Sequence, residues 1–232
     1  MKRLFYTLIT IVVTASALTA QISLGKISPN IKYEGNYSFS ASIDMEIDFY
    51  NRNGSLQNTL PYNSYYTPDY QHICIKHRNR STVYQTIFDI PNNSCLIVLG
   101  EGKDMSGSAA NMKDNSGREL RELPLVKTDQ TKNIAGYNCT LYTFDVPEFK
   151  GEFWASNEIK LPNDVGIFKA SKMAKYYQNV PVQGFILEIT STTPRGRKTV
   201  MKTLKLHNSS DYSVNIPENF GMAINKVDYY EL

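Results

Sequence analysis

From Tyr37 to Phe49 the chain alternates: Tyr37, Phe39, Ala41, Ile43, Met45, Ile47 and Phe49 are apolar, while Ser38, Ser40, Ser42, Asp44, Glu46 and Asp48 between them are polar. A period of two over that distance predicts a strand with one buried face. It exceeds the ~5–6 residues of an ordinary strand and suits a strongly curved or barrel-like sheet. Asn51-Arg52-Asn53-Gly54 closes it as a turn, Asn-Gly being able to adopt positive φ. Residues 55–69, with Pro61 and Pro68 among Asn58, Asn63 and Asp69, read as a loop. Residues 70–77, 82–90 and 95–99 then predict a meander of three strands, with Cys95 opposite Asp89 and Asp89 opposite Tyr70.

Residues 100–121 are polar and rich in Gly, Ser and Asn, and read as a long surface loop with one helical turn. Strands are expected at 123–127, 137–146 and 151–155, the last around Trp154. Leu161-Pro162-Asn163-Asp164 then supplies a turn and a cap for a helix carrying Ile167, Ala170, Ala174 and Tyr177 at helical spacing. A hairpin of 185–192 and 199–207 and closing strands at 212–216 and 224–230 complete the pattern. No repeat and no Pro/Gly linker divides the chain. The expectation is one mainly β (α+β) domain, residues 21–232.

The start of the chain has a different character. Lys2 and Arg3 precede an uncharged run through Leu18, too short for the ~20 residues of a membrane span and ending in the small-residue stretches Ala15-Ser16-Ala17 and Thr19-Ala20-Gln21. Residues 1–20 read as a signal peptide, with cleavage after Ala20 preferred and Ala17 the competitor. The expected product is a soluble exported or periplasmic protein without a transmembrane segment. Loss of Lys2 and Arg3 takes the formal charge of +3 close to neutrality, which removes the basic excess that nucleic-acid binding relies on. The 16 Tyr and 10 Phe residues favour strands, since flat rings pack well on a pleated surface.

Candidate chemistry is sparse. Cys74, Cys95 and Cys139 are an odd number, and the expected register holds Cys74 and Cys95 too far apart for a disulfide, so buried free thiols are expected. His72 and Cys74 share a strand face but supply only two of the three or four ligands a zinc site needs, so no metal is expected. Gly100-Glu101-Gly102-Lys103-Asp104-Met105 fails both phosphate-loop spacings, no Gly-x-Ser-x-Gly elbow exists, and Asp44, Glu46 and Asp48 read as the solvated side of their strand. Neither a cofactor nor an enzymatic activity is expected. A small outer-membrane barrel is opposed by the predicted helix and by Lys202 within a weakly alternating strand.

Asn133-Ile134-Ala135-Gly136-Tyr137-Asn138-Cys139-Thr140-Leu141-Tyr142, Trp154-Ala155-Ser156-Asn157-Glu158-Ile159 and Gly184-Phe185-Ile186-Leu187-Glu188-Ile189 resemble a family of exported bacterial proteins of unknown function. That family is similar in shape to the periplasmic lipoprotein carrier LolA, which implies a curved antiparallel half-barrel with one or a few helices packed over an apolar cavity. The resemblance implies a lipid or lipidated protein as partner; the competing expectation is an envelope structural or interaction module with a filled core. In the cavity reading, the ligand-lining row is Phe39, Ile43, Met45 and Ile47 with Trp154, Phe185, Leu187 and Ile189.

Overall fold

The computed structural model describes residues 31–217 and 220–232; the predicted signal peptide lies outside the described residues. The first half of the chain forms β1 (Asn36–Ser38), β2 (Ala41–Tyr50), β3 (Leu56–Tyr66), β4 (His72–Asn79), β5 (Thr82–Asp89), β6 (Ser94–Leu99) and β7 (Ser106–Asn111). The second half adds β8 (Val126–Ile134), β9 (Tyr137–Val146), β10 (Phe149–Ser156), β11 (Phe185–Thr192), β12 (Lys198–His207), β13 (Ser213–Asn215) and β14 (Met222–Ala223). Twelve of these make one sheet in the order β14-β7-β6-β5-β4-β3-β2-β12-β11-β10-β9-β8, antiparallel except for the short β14–β7 pair. The protein is thus mainly β, and the sheet is open, with β14 and β8 as its edges. Two meanders, β2 to β7 and β8 to β12, meet where β2 pairs with β12.

The alternating stretch 37–49 is not one strand. Phe39 N donates to Tyr212 O at 3.0 Å, whereas the next amide, Ser40 N, donates to Tyr66 O at 3.3 Å. Consecutive residues are therefore tied to different layers, and the chain steps from a separate two-stranded ribbon, β1 with β13, into the large sheet. Two apolar clusters result. Ile43, Met45 and Ile47 enter the larger one, while Tyr37 and Phe39 pack in the second with Cys74, Ile87, Leu96 and Val214.

Strands β4 to β6 are buried on both faces, which is why they read as apolar runs rather than alternations: Ile73, Phe88 and Cys95 serve the larger cluster, Cys74, Ile87 and Leu96 the second. The ribbon is anchored on them by Asp89, which is fully buried. Its carboxylate accepts from Tyr37 Oη at 2.8 Å, Glu34 N at 3.2 Å and Asn92 Nδ2 at 2.9 Å, so the buried charge is well supplied with donors.

Several expectations are corrected. The turn-rich segment 55–69 is mostly β3, with Pro61 opposite Glu46. Pairing of β3 with β4 begins only at Tyr62, so the missing Pro61 amide falls where the strand has a single neighbour. The meander register is also shifted: Cys95 lies opposite Phe88, and Asp89 opposite both Ser94 and His72. Cys74 and Cys95 thus face opposite sides of the sheet; all three thiols are free and buried. Strand β7 lies within the expected 100–121 loop and was hidden by its small residues, which close packing demands. A Cβ on Gly107 would fall 2.1 Å from Ile97 O and 2.6 Å from the Phe220 ring.

The expected helix is broken into single turns, Asn163–Val165, Ile167–Ala170 (α1) and Met173–Lys175. Gly166 is extended and packs under the Phe185 ring, and Lys172 is left-handed at φ 59°. Asn163, expected in the cap, instead spans to β11, donating to Gly184 O at 3.2 Å and accepting from Ile186 N at 2.8 Å. The helical spacing of Ile167, Ala170, Ala174 and Tyr177 reflects burial of these turns against the sheet. The closing strand expected at 224–230 is absent: β14 (Met222–Ala223) ends just before it, and a turn of 3-10 helix covers Tyr229–Glu231.

Candidate functional site

Cross-strand register decides which of the eight candidate residues meet. Ile47 pairs with Met201, Met201 with Ile189, and Ile189 with Phe153, so these side chains share one face. Ile43, Met45, Phe185 and Leu187 join the same cluster, and each of the six is at most 4% exposed. They pack against Phe144, Phe153, Phe168 and the turns of 163–175. One candidate falls elsewhere: Phe39 belongs to the cluster behind the sheet. Trp154 is part of the larger cluster at 8% exposure, but it pairs with Glu188 and Leu141, one residue out of phase with Phe153, which sets it on the opposite face of β10.

That opposite face is a ladder of charges. Lys132 Nζ sits 4.2 Å from the Trp154 ring centre and 2.8 Å from Glu188, and Lys202 reaches Asp48 at 3.1 Å and Glu46 at 3.5 Å. Burial alone would raise the Asp48 pKa, but hydrogen bonds from Thr59 and Lys202 outweigh it and hold the carboxyl below its ordinary range. Asp44, Glu46 and Asp48 therefore act as the partnered polar side of β2. Among the described residues no group of three or more His, Cys, Asp or Glu could hold a metal ion.

One amine is deeply enclosed. Lys169, in α1, is 1% exposed, donates to Tyr229 O, and lies 4.2 Å from the Phe88 ring centre and 3.4 Å from that of Tyr229. Burial lowers its pKa to about 8, opposed chiefly by the nearby Asp164 carboxylate. Its role is a clamp: it fastens the 229–231 turn over the larger cluster, aided by the 2.8 Å Arg118–Asp228 pair. His77 is likewise structural, stacked between Tyr62 and Tyr84 at 4.7 and 4.9 Å, with burial lowering its pKa to about 4.

A surface groove of about 680 Å³ lies elsewhere, lined by Gln85, Glu101, Lys103, Met105 and residues 212–217. None of the eight candidates lines it. A second hollow of about 420 Å³ lies at the Asn51–Asn53 turn and Arg197, again without them. In the first groove, Tyr212 stacks on Tyr65 at 3.9 Å, donates to Gln85 Oε1 at 2.5 Å and lies beneath Lys76 Nζ at 4.5 Å. Gln85, 2% exposed, also donates to Gly100 O at 2.9 Å, which fixes the 100–105 turn as one wall. Lys76 at 2.5 Å and Arg78 at 3.1 Å both reach Glu101, whose pKa is lowered above all by the Lys76 hydrogen bond. Lys76 and Arg78 both lie on β4, and their convergence on Glu101 depends on the Gly100 reversal, at φ 87°.

The other wall is the outer edge of β13. Phe39 N donates to Tyr212 O and Ile216 N to Gly35 O, so the backbone groups of residues 212, 214 and 216 face β1. The N–H and C=O of Ser213 and Asn215 consequently point away from β1, toward the groove.

No protein-family model matches the chain, and no curated protein matches it. Two crystal structures of PNGF-II, in space groups C2 and P21, are similar at 12% and 13% identity with TM-scores of 0.43 and 0.40. Each match covers 81% of this chain but only 31% and 32% of those chains, so the chain spans about a third of their length. A likeness at that level carries no argument about fold or activity.

Proposed function

We propose that the protein is an exported, non-catalytic interaction module of the cell envelope, built on a filled β core. The observation that carries this reading is the burial of six of the candidates: at most 4% exposed, they belong to one apolar cluster with Phe144, Phe153 and Phe168, which suits a filled core. Export rests on the charged start and apolar run of residues 2–18. The ionisable clusters are ion pairs and clamps, which suit binding rather than turnover.

A second reading, the LolA-like half-barrel carrying a lipid or lipidated protein, is favoured by one feature. Register slips in β10–β11, β2–β12 and β8–β9 are devices that bend a sheet. Native mass spectrometry of protein purified from its own host, with lipid extraction, separates the two. Lipid-free protein is expected; stoichiometric co-purifying lipid would overturn the filled-core reading in favour of the carrier.

A further inference from the structure

We infer that the outer edge of β13 receives an extended acidic peptide as an added strand, seated in the groove between Ser213–Asn215 and the 100–105 turn. This rests on the interaction-module reading and names the surface and the chemistry of the partner. The first support is the backbone. Among the described residues, the amides and carbonyls of Ser213 and Asn215 make no hydrogen bond, and alternate unpaired groups along one strand edge are what strand addition uses.

A comparison of edges supports the choice. β8 also has a free edge, but a register irregularity between Lys127 and Thr131 interrupts it, and it carries Lys127, Asp129 and Lys132, features that discourage pairing. β14 is two residues long. β13 has neither guard, Ser213-Val214-Asn215 being uncharged and regularly paired on its inner side; its partner β1 is equally unguarded, but only β13 lines the groove. The free edge from residue 213 to Pro217 extends ~13 Å at ~3.3 Å per residue, room for a short segment of four or five residues.

Charge selects the partner. Of the two charged side chains lining the groove, Glu101 is already neutralised from behind by Lys76 and Arg78, whereas Lys103 makes no ion pair among the described residues and is left to meet an acidic group. Strand addition places alternate side chains on opposite faces. One set would rest on Met105 and Tyr212, and the other would pass Lys103, which calls for apolar and acidic residues in alternation.

The test uses the full exported chain, isotope-labelled, and three capped hexapeptides: alternating valine and glutamate, alternating valine and lysine, and the glutamate peptide with its valine amides N-methylated. The glutamate peptide should shift the Ser213 and Asn215 amide signals, and N-methylation should weaken binding about tenfold or more. Asn215→Pro, which removes an outward N–H and leaves the β1 ladder intact, should abolish binding with an unchanged circular dichroism spectrum; Lys103→Glu should shift preference toward the lysine peptide. Equal binding of the N-methylated peptide, or no response at Ser213 and Asn215 to either charge, would overturn the proposal. So would exchange protection of those amides in the peptide-free chain that disappears on deleting the residues before Ile31, because the edge would then be filled in cis. Failure of the parent reading looks different: co-purifying lipid would refute the interaction module whatever the groove does, and a partner cross-linked at another surface would refute the groove alone.

Discussion

Replacing Lys169 by methionine should flatten a specific part of the protein's pH–stability profile. The amine is 1% exposed, clamped between Phe88 and Tyr229, and burial lowers its pKa to about 8 from the ordinary 10.5. Asp164, Asp228 and Cys95 act on it in the raising direction and Lys172 in the lowering one. Because the folded value lies below the unfolded one, the unfolded chain holds the extra proton between them, and this site adds stability as pH rises through that window. The gap between about 8 and 10.5, at ~1.4 kcal/mol per pH unit, limits the gain to ~3 kcal/mol, of which ~2.5 kcal/mol falls between pH ~7 and ~10. Buried tyrosines and thiols with raised pKa values act in the opposite direction, but they do so in both proteins, so the difference between wild type and Lys169→Met isolates the lysine. Urea unfolding followed by Trp154 fluorescence at stepped pH measures it. A difference that stays flat or falls with pH would refute the enclosed clamp.

Phe153→Ala should destabilise by ~3–5 kcal/mol in denaturant unfolding, the penalty for emptying a filled core; a loss under ~1 kcal/mol would point to a pre-existing cavity around the larger cluster. All three cysteines should resist alkylation until the protein is unfolded, since burial pushes Cys74 and Cys95 to about 12 and Cys139 to about 11; peptide mapping that finds a Cys74–Cys95 disulfide would contradict their opposite-face placement. Gly107→Ala should lower Tm by several degrees, roughly 1–3 kcal/mol, because its Cβ meets the Ile97 carbonyl; unchanged Tm would mean β6 and β7 are less closely packed. Terminal mapping of exported material should find Gln21 or Leu18 first, and intact Met1 in the membrane pellet would overturn export.

Strands whose burial follows a simple local rule were legible. The spans 137–146 and 185–192 coincide with β9 and β11, and the alternation of 41–49 with most of β2. What periodicity cannot carry is the layer a face meets. Phe39 and Ile43 are in phase, yet adjacent amides at residues 39 and 40 bond to different partners, and Phe39 leaves the larger cluster. Trp154 shares the larger cluster with Phe185, Leu187 and Ile189, but its pairing with Glu188 also brings its ring against Lys132, which no local period shows. The groove was illegible for the same reason: Gln85, Glu101 and Tyr212 are remote in sequence and meet because the β1–β13 ribbon lies across β4 to β6. The sequence by itself determined a mainly β chain with an acidic side to β2, because these follow from residue type and a period of two. Only the tertiary structure decided that β3 forms through Pro61, that the helix breaks at Gly166, and which residues share a face. Each of these depends on a neighbour distant in the chain: the point where β4 stops pairing, the ring of Phe185, and the register across β10 and β11.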